Sequence, residues 1–299
     1  MPVNWNKEFD TRPFEIVAPS HWTAPVVFNS PHSGARYPAA FLALSRLDPV
    51  ALRKSEDCHI DKLFACATDL GAPLLKAHFP RAYLDVNREP YELDPRMFRE
   101  ELPGYANTVS MRVTAGLGTV PRIVCEGEEI YRLPLRLDEV LQRIETIYRA
   151  YHRTLSSLAA QVHDSFGAVL LIDCHSMPSS AATLVSANES LVDIVLGDRH
   201  GAACGEPITA LLEDLLRAQG LKVVRNKPYA GGFITQTHGN PLTGRHALQI
   251  EINRALYMSE RTFEPTGNFE PLKTVLRLAL QSLLGEIDDM LKPMRLAAE

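Results

Sequence analysis

The sequence predicts an α/β fold, a three-layer sandwich in which a mixed, mostly parallel central sheet lies between helices. Three observations carry that prediction. Ala168-Val-Leu-Leu-Ile172 is an unbroken apolar run after Gly167, the pattern of a central strand buried on both faces. From Leu137 to Phe166 apolar residues recur at helical spacing, the mark of a long amphipathic helix lying outside a sheet. Elsewhere short apolar runs alternate with helical stretches, and several of the runs end abruptly in polar residues. In open α/β sheets ligands bind outside the carboxyl ends of the strands.

Taken in order, the chain offers a short strand near Phe14–Val17 and a second at Pro25–Phe28. The second runs into Asn29-Ser-Pro-His-Ser-Gly34, a loop because Pro31, Gly34 and Pro38 forbid a regular element. A helix is expected after Ser55, with Ile60, Leu63, Phe64 and Ala67 on one face and Gly71 as its stop. Ala82–Arg88 reads as a strand ending in Asp85, Asn87 and Arg88, followed by a loop over 89–120 of the kind that covers or lines a site. Gly167 closes the long helix, and the central strand ends in Asp173, His175 and Ser176. Strands follow at 183–186, 193–195, 222–224 and 247–253, with helices at 207–218 and 271–291. Residues 226–241 form a glycine-laden loop whose Gly231-Gly232 pair permits close backbone approach. No repeat and no shift in composition marks a boundary, so 1–299 reads as a single domain.

Composition narrows the function. The formal net charge is −5 and no basic run stands out, which argues against a nucleic-acid partner. The first ten residues lack the apolar core of a signal peptide, and nothing approaches the ~18 apolar residues of a membrane span. Five cysteines form no Cys-x-x-Cys pair, so reduced thiols and a cytoplasmic location are expected. Cys174 alternates with His175 on its strand and faces away from it. There is no Gly-x-Ser-x-Gly, Walker loop or Gly-x-Gly-x-x-Gly.

Strand ends and loops instead supply His32, His175, Glu56 or Asp57, and Glu251. Two histidines and a carboxylate are a usual ligand set for catalytic zinc, which keeps a fourth position open. The competing reading makes Ser55, Glu56 and Asp57 a helix cap and His32 a turn histidine. Glu251, between two isoleucines, has the character of a general base with a pKa raised by desolvation. It could equally be buried in a salt bridge to Arg254 or Arg88. Arg88 could clamp a substrate carboxylate bidentately or serve a surface ion pair. His152 and His163 read as surface or packing residues.

Five ordered segments resemble the N-formylglutamate amidohydrolase family: Asn29–Gly34, Asp85–Arg88, Ile172–Met177, Pro228–Phe233 and Gln249–Met258. That family is similar, more distantly, to zinc carboxypeptidases and the aspartoacylase group, whose Asp-Leu-Asn-Arg segment resembles Asp85–Arg88. The resemblance implies one zinc per chain and hydrolysis of N-formyl-L-glutamate to formate and glutamate in histidine degradation, a small-molecule substrate. It implies His32 and His175 as ligands, Arg88 as a carboxylate binder and Glu251 as the catalytic carboxylate. The carboxypeptidase group places its acidic ligand three residues after the first histidine, where this chain has Ala35. Asp57 is the expected replacement, with Glu56 or Asp61 as substitutes. Asn87, Gly231 and Gly232 are expected to line the pocket, and His238, Arg245 or Arg254 to hold a second carboxylate. Another N-acyl amino acid as substrate, peptidase activity and a non-catalytic zinc-binding homologue are the alternatives. Oligomeric state is not legible.

Overall fold

The fold, given by a computed structural model, is described over residues 12–125, 127–183 and 191–291. Seven strands form one sheet in the order β1-β3-β2-β4-β7-β5-β6. They are β1 (Phe14–Val17), β2 (Val26–Ser30), β3 (Leu74–Ala77), β4 (Val169–Met177), β5 (Ile194–Gly197), β6 (Val223–Arg225) and β7 (Arg245–Asn253). β4 is parallel to β2 and to β7, and β5 is parallel to β6 but antiparallel to β7. The sheet is therefore mixed, as the sequence implies.

Two compact units can be distinguished. The first takes the chain up to Glu15, Pro31–Cys58 and Lys76–Thr154; the second takes Ile16–Ser30, His59–Leu75 and the chain from Leu155.

In the second unit all nine residues of β4 are buried, the burial pattern of a strand covered on both faces. Alternation puts Val169, Leu171, Asp173 and His175 on one face, and the register sets Arg245, Ala247, Gln249 and Glu251 beside them on β7. Leu155–Phe166 covers the amino end of that face, its Leu155, Leu158 and Val162 buried. A cavity of about 440 Å³ remains there, lined by Ser156, Ala159 and His163 of the helix and by Val169 and Leu171 of the strand. On the opposite face Phe28 packs on Phe64 with ring centres 6.2 Å apart. There too His246 Nδ1 accepts from the Gly205 N–H at 3.0 Å and its Nε2 lies 3.1 Å from the Leu291 carbonyl. These bonds tie the start of the helix Glu206–Ala218 and the chain beyond Phe269–Glu286 to the sheet.

The first unit is mostly short helices and turns. Asp48 and Ser110 cap the helices Pro49–Leu52 and Met111–Thr114 by accepting backbone N–H bonds of 2.7 and 3.1 Å. Its core holds a fully buried cation: the Arg143 guanidinium sits 4.2 Å above the Tyr83 ring and donates to Tyr131 Oη at 3.3 Å.

Several expectations need correction. Ala82–Arg88 is a run of turns, because Tyr83 and Leu84 both donate back to the Pro80 carbonyl and the Asp85 side chain accepts the Asn87 N–H. The helix expected after Ser55 is only Ile60–Leu63, preceded by His59 at φ 65°, and a 3₁₀ turn, Ala65–Ala67, follows. Glu56 and Asp57 thus precede the helix, and Glu56 instead ends the 3₁₀ turn Arg53–Ser55, its N–H donating to the Arg53 carbonyl at 2.9 Å. The 89–120 segment contains a 3₁₀ turn at Pro95–Met97 and the helix Met111–Thr114. Residues 226–241 contain a helix, Phe233–His238. The long helix carries a π turn at Ile144–Tyr148 between Leu137–Arg143 and Arg149–Phe166. Of the strand expected at 183–186, Thr183 ends a short helix, Ser179–Thr183, and the rest lies outside the described residues.

Candidate active site

Where β2 ends, Pro31 has no N–H to continue the ladder and the chain turns. Gly34 allows a tight approach: a Cβ there would fall 2.2 Å from the Phe79 carbonyl oxygen. Between them His32, 1% exposed, is gripped from two sides. Its Nε2 lies 2.8 Å from Asp85 Oδ1, and its Nδ1 lies 3.5 Å from Asp57 Oδ2. The Asp57 backbone N–H donates to the His32 carbonyl at 3.0 Å, so both residues are fixed by one short link.

Asp85 anchors this half. Oδ1 also accepts the Asn87 N–H at 2.8 Å, and Oδ2 accepts from Arg81 Nε at 2.8 Å with Arg88 Nη2 at 3.5 Å. Burial alone would raise its pKa, but Arg81, Arg88 and His32 hold it well below the usual carboxylate range. Arg88 donates from Nε to Leu117 O and from Nη1 to Asn87 O, both at 2.8 Å. Burial draws its pKa down to about 10 against the pull of Asp85. Its guanidinium is thus held rigidly, and it is not the surface ion pair that was the alternative. Glu56, the first substitute for Asp57, is committed elsewhere: it accepts from Tyr37 Oη, from Arg53 Nε at 3.0 Å and from Cys58 Sγ at 3.1 Å.

On β4, Asp173 and His175 stand two residues apart on one face, and His175 Nε2 lies 2.9 Å from Asp173 Oδ2. Asp173 Oδ1 accepts from Asn29 Nδ2 at 2.7 Å. Register places Glu251 directly beside His175. Glu251, 7% exposed, accepts from Gln249 Nε2 at 2.8 Å, and Gln249 Oε1 accepts the Gly232 N–H at 2.8 Å. Arg254 donates from Nε to Ser176 Oγ at 3.1 Å. Cys174 is on the other face, its thiol pKa pushed far up by burial.

Two expected substrate binders, His238 and Arg245, line the cavity of about 440 Å³. His238 ends the helix Phe233–His238; burial lowers its pKa and nearby Asp173 opposes that. Arg245 opens β7 opposite Val169, six residues before Glu251. At ~3.3 Å per residue that is roughly 20 Å along the strand, so Arg245 stands at the amino end of the sheet, away from Glu251.

His32, Asp57 and His175, all buried, form a group that could hold a metal ion; one ligand atom from each lies within 4.8 Å of the others. Asp57, rather than Glu56 or Asp61, supplies the carboxylate of that group. Sequence reading left out Asp173 and Gln249. Each sits two residues before a chemistry-bearing residue on the same strand, and period-two alternation is the signal that finds them.

The comparisons agree with this geometry. The N-formylglutamate amidohydrolase family profile matches residues 24–258. An N-formylglutamate deformylase of Pseudomonas aeruginosa is 30% identical over 276 residues, 91% of this chain and 97% of that protein. One of Pseudomonas putida is 30% identical over 268 residues, 87% of this chain and 92% of the relative. The crystal structure of N-formylglutamate amidohydrolase from Ralstonia eutropha JMP134 has a TM-score of 0.85 at 36% identity, covering 94% of this chain and 99% of that one. A gene product of Agrobacterium tumefaciens shares the fold, with TM-score 0.63 at 19% identity over 95% of this chain and 97% of its own. With its profile matched over most of its length and its relatives covered almost end to end, the chain belongs to the N-formylglutamate amidohydrolase family.

Proposed function

We propose that this protein hydrolyses N-formyl-L-glutamate to formate and L-glutamate, as a step of histidine degradation in the cytoplasm, with one zinc ion per chain held by His32, Asp57 and His175. The observation that carries the metal reading is the buried His–Asp–His group. The donor set fits zinc: two imidazoles and a carboxylate leave a position open. His32 Nε2 is hydrogen-bonded to the buried Asp85 at 2.8 Å, and His175 Nε2 lies 2.9 Å from Asp173 Oδ2, close enough for charge pairing though not in hydrogen-bond geometry. A carboxylate hydrogen-bonded to Nε2 fixes the orientation of the ring, which leaves Nδ1 of His32 as the nitrogen for the ion. The named activity of the Pseudomonas and Ralstonia relatives supports the substrate. Among the described residues no helix is long and apolar enough to cross a membrane.

Zinc bound there would polarise the formyl carbonyl and lower the pKa of water from 15.7 to about 7. Glu251, beside His175, takes a proton from the attacking water and returns it to the leaving nitrogen, which departs as the amine of glutamate. Arg88, held by Asp85 and two carbonyls, presents its guanidinium to a substrate carboxylate. Asn87, Gly231, Gly232, His238 and Arg254 complete the pocket in this proposal; Arg245 is omitted for its distance along β7. The test is formate release from N-formyl-L-glutamate, compared with other N-formyl and N-acyl amino acids, before and after chelation and after zinc is restored. Formate release that chelation leaves untouched would refute the metal reading. Hydrolysis confined to a different N-acyl amino acid would refute the substrate.

A further inference from the structure

Gln249 carries two bonds at once. Its Oε1 accepts the Gly232 N–H and its Nε2 donates to Glu251 Oε1, each at 2.8 Å. The Gly232 donor fixes which end of the amide is oxygen, so the end facing Glu251 must be the N–H₂. Gln249 is 4% exposed and shares its sheet face with Glu251, so neither bond competes with bulk water. The loop it holds is itself seated closely on the sheet. A Cβ on Gly197, at the end of β5, would come within 2.8 Å of the Ala230 carbonyl carbon and the Gly231 nitrogen. Gly231 has φ 117°, where L side chains are strained, and a Cβ there would fall 2.6 Å from Thr235 Oγ1. The loop backbone therefore has one close-packed arrangement, and Gln249 reads it.

We propose that Gln249 is a positioning residue that ties the Gly231-Gly232 loop to the Glu251 carboxylate, so that one amide sets both the floor of the substrate pocket and the rotamer of the base. This rests on the proposed role of Glu251. The donated N–H₂ bond claims one oxygen of the carboxylate and orients the other for the proton it receives. It also gives the carboxylate a fixed donor in a buried site, where a free rotor would spend most of its time misaimed.

Two variants separate the arms. Gln249→Glu keeps an acceptor for Gly232 but faces Glu251 with a second acceptor. Gln249→Met removes both bonds at similar volume. In Gln249→Glu, kcat should fall about tenfold or more, the scale of one lost buried hydrogen bond, with KM within about twofold. In Gln249→Met, kcat should fall, KM should rise, and the Gly232 amide should exchange with solvent at least about tenfold faster than in wild type. A kcat within twofold of wild type in both variants, or unchanged Gly232 exchange in Gln249→Met, overturns the proposal. The kinetics use whichever N-acyl amino acid the wild type hydrolyses. Failure on N-formyl-L-glutamate alone therefore counts against the substrate, while the exchange measurement still decides whether Gln249 holds the loop.

Discussion

On β4 and β7 the ladder itself sets where His175 and Glu251 stand. The two are register partners, and a polar neighbour of each, Asp173 or Gln249, lies two residues earlier on the same face. Around His32 there is no ladder. Pro31 ends β2, Asp85 sits in turns, and the imidazole is placed between Asp57 and Asp85, with Asp85 held in turn by Arg81 and Arg88. A strand-borne residue keeps its backbone position when one side-chain contact is lost, because neighbouring ladder bonds remain. A loop-borne residue is held by those contacts, so the same loss moves it.

Breaking the shared element should cost most. His175→Ala should deplete bound zinc in elemental analysis and abolish formate release, and unchanged metal content would place the ligand elsewhere. Glu251→Gln should keep the metal and lose at least ~100-fold in turnover, the scale of a lost general base; near-normal turnover would remove Glu251 from the mechanism.

The comparison sharpens with the carboxylates beside the two histidines. Asp85→Asn and Asp173→Asn should each weaken metal affinity, in the range of about 10–100-fold. Asp85→Asn should be the worse of the two, since Asp85 also anchors Asn87, Arg81 and Arg88 in the turn. Equal losses on chelator titration would mean the turn is as well held as the strand.

The smallest effect lies outside the site. Asp94 accepts from Arg96 and Arg122 at 2.7 to 3.0 Å. Burial would raise its pKa, but those two arginines hold it below the ordinary value. As pH falls, the unfolded chain takes this proton first, so the stability Asp94 gives is present above about pH 4 and is lost below it. Asp94→Asn should therefore lower Tm by a few degrees at pH 7, and the gap from wild type should close toward pH 3.

Elements with long periodic patterns were legible from the sequence. The helix from Leu137 to Phe166, β4 and β7 stand where apolar spacing places them, because burial of a regular face leaves a regular trace. Asp85–Arg88 was misread because Tyr83-Leu84-Asp85-Val86 has the composition of a strand, while Pro80 and the Asp85 side chain turn it by bonds that composition does not encode. The helix at Phe233–His238 was hidden by the glycines around it.

By itself the sequence determined the α/β class, the strands that carry His175 and Glu251, and the set of residue types from which a metal site could be drawn. Only the tertiary structure chose among them. It grouped Asp57 with the two histidines and committed Glu56 to Tyr37, Arg53 and Cys58; it put Arg245 at the start of β7; and it brought Asp85 against His32, Asp173 beside His175 and Gln249 against Glu251. The physical reason is range. Periodicity follows from a backbone geometry repeated every few residues, whereas a ligand set or a buried hydrogen bond depends on where distant side chains finally meet.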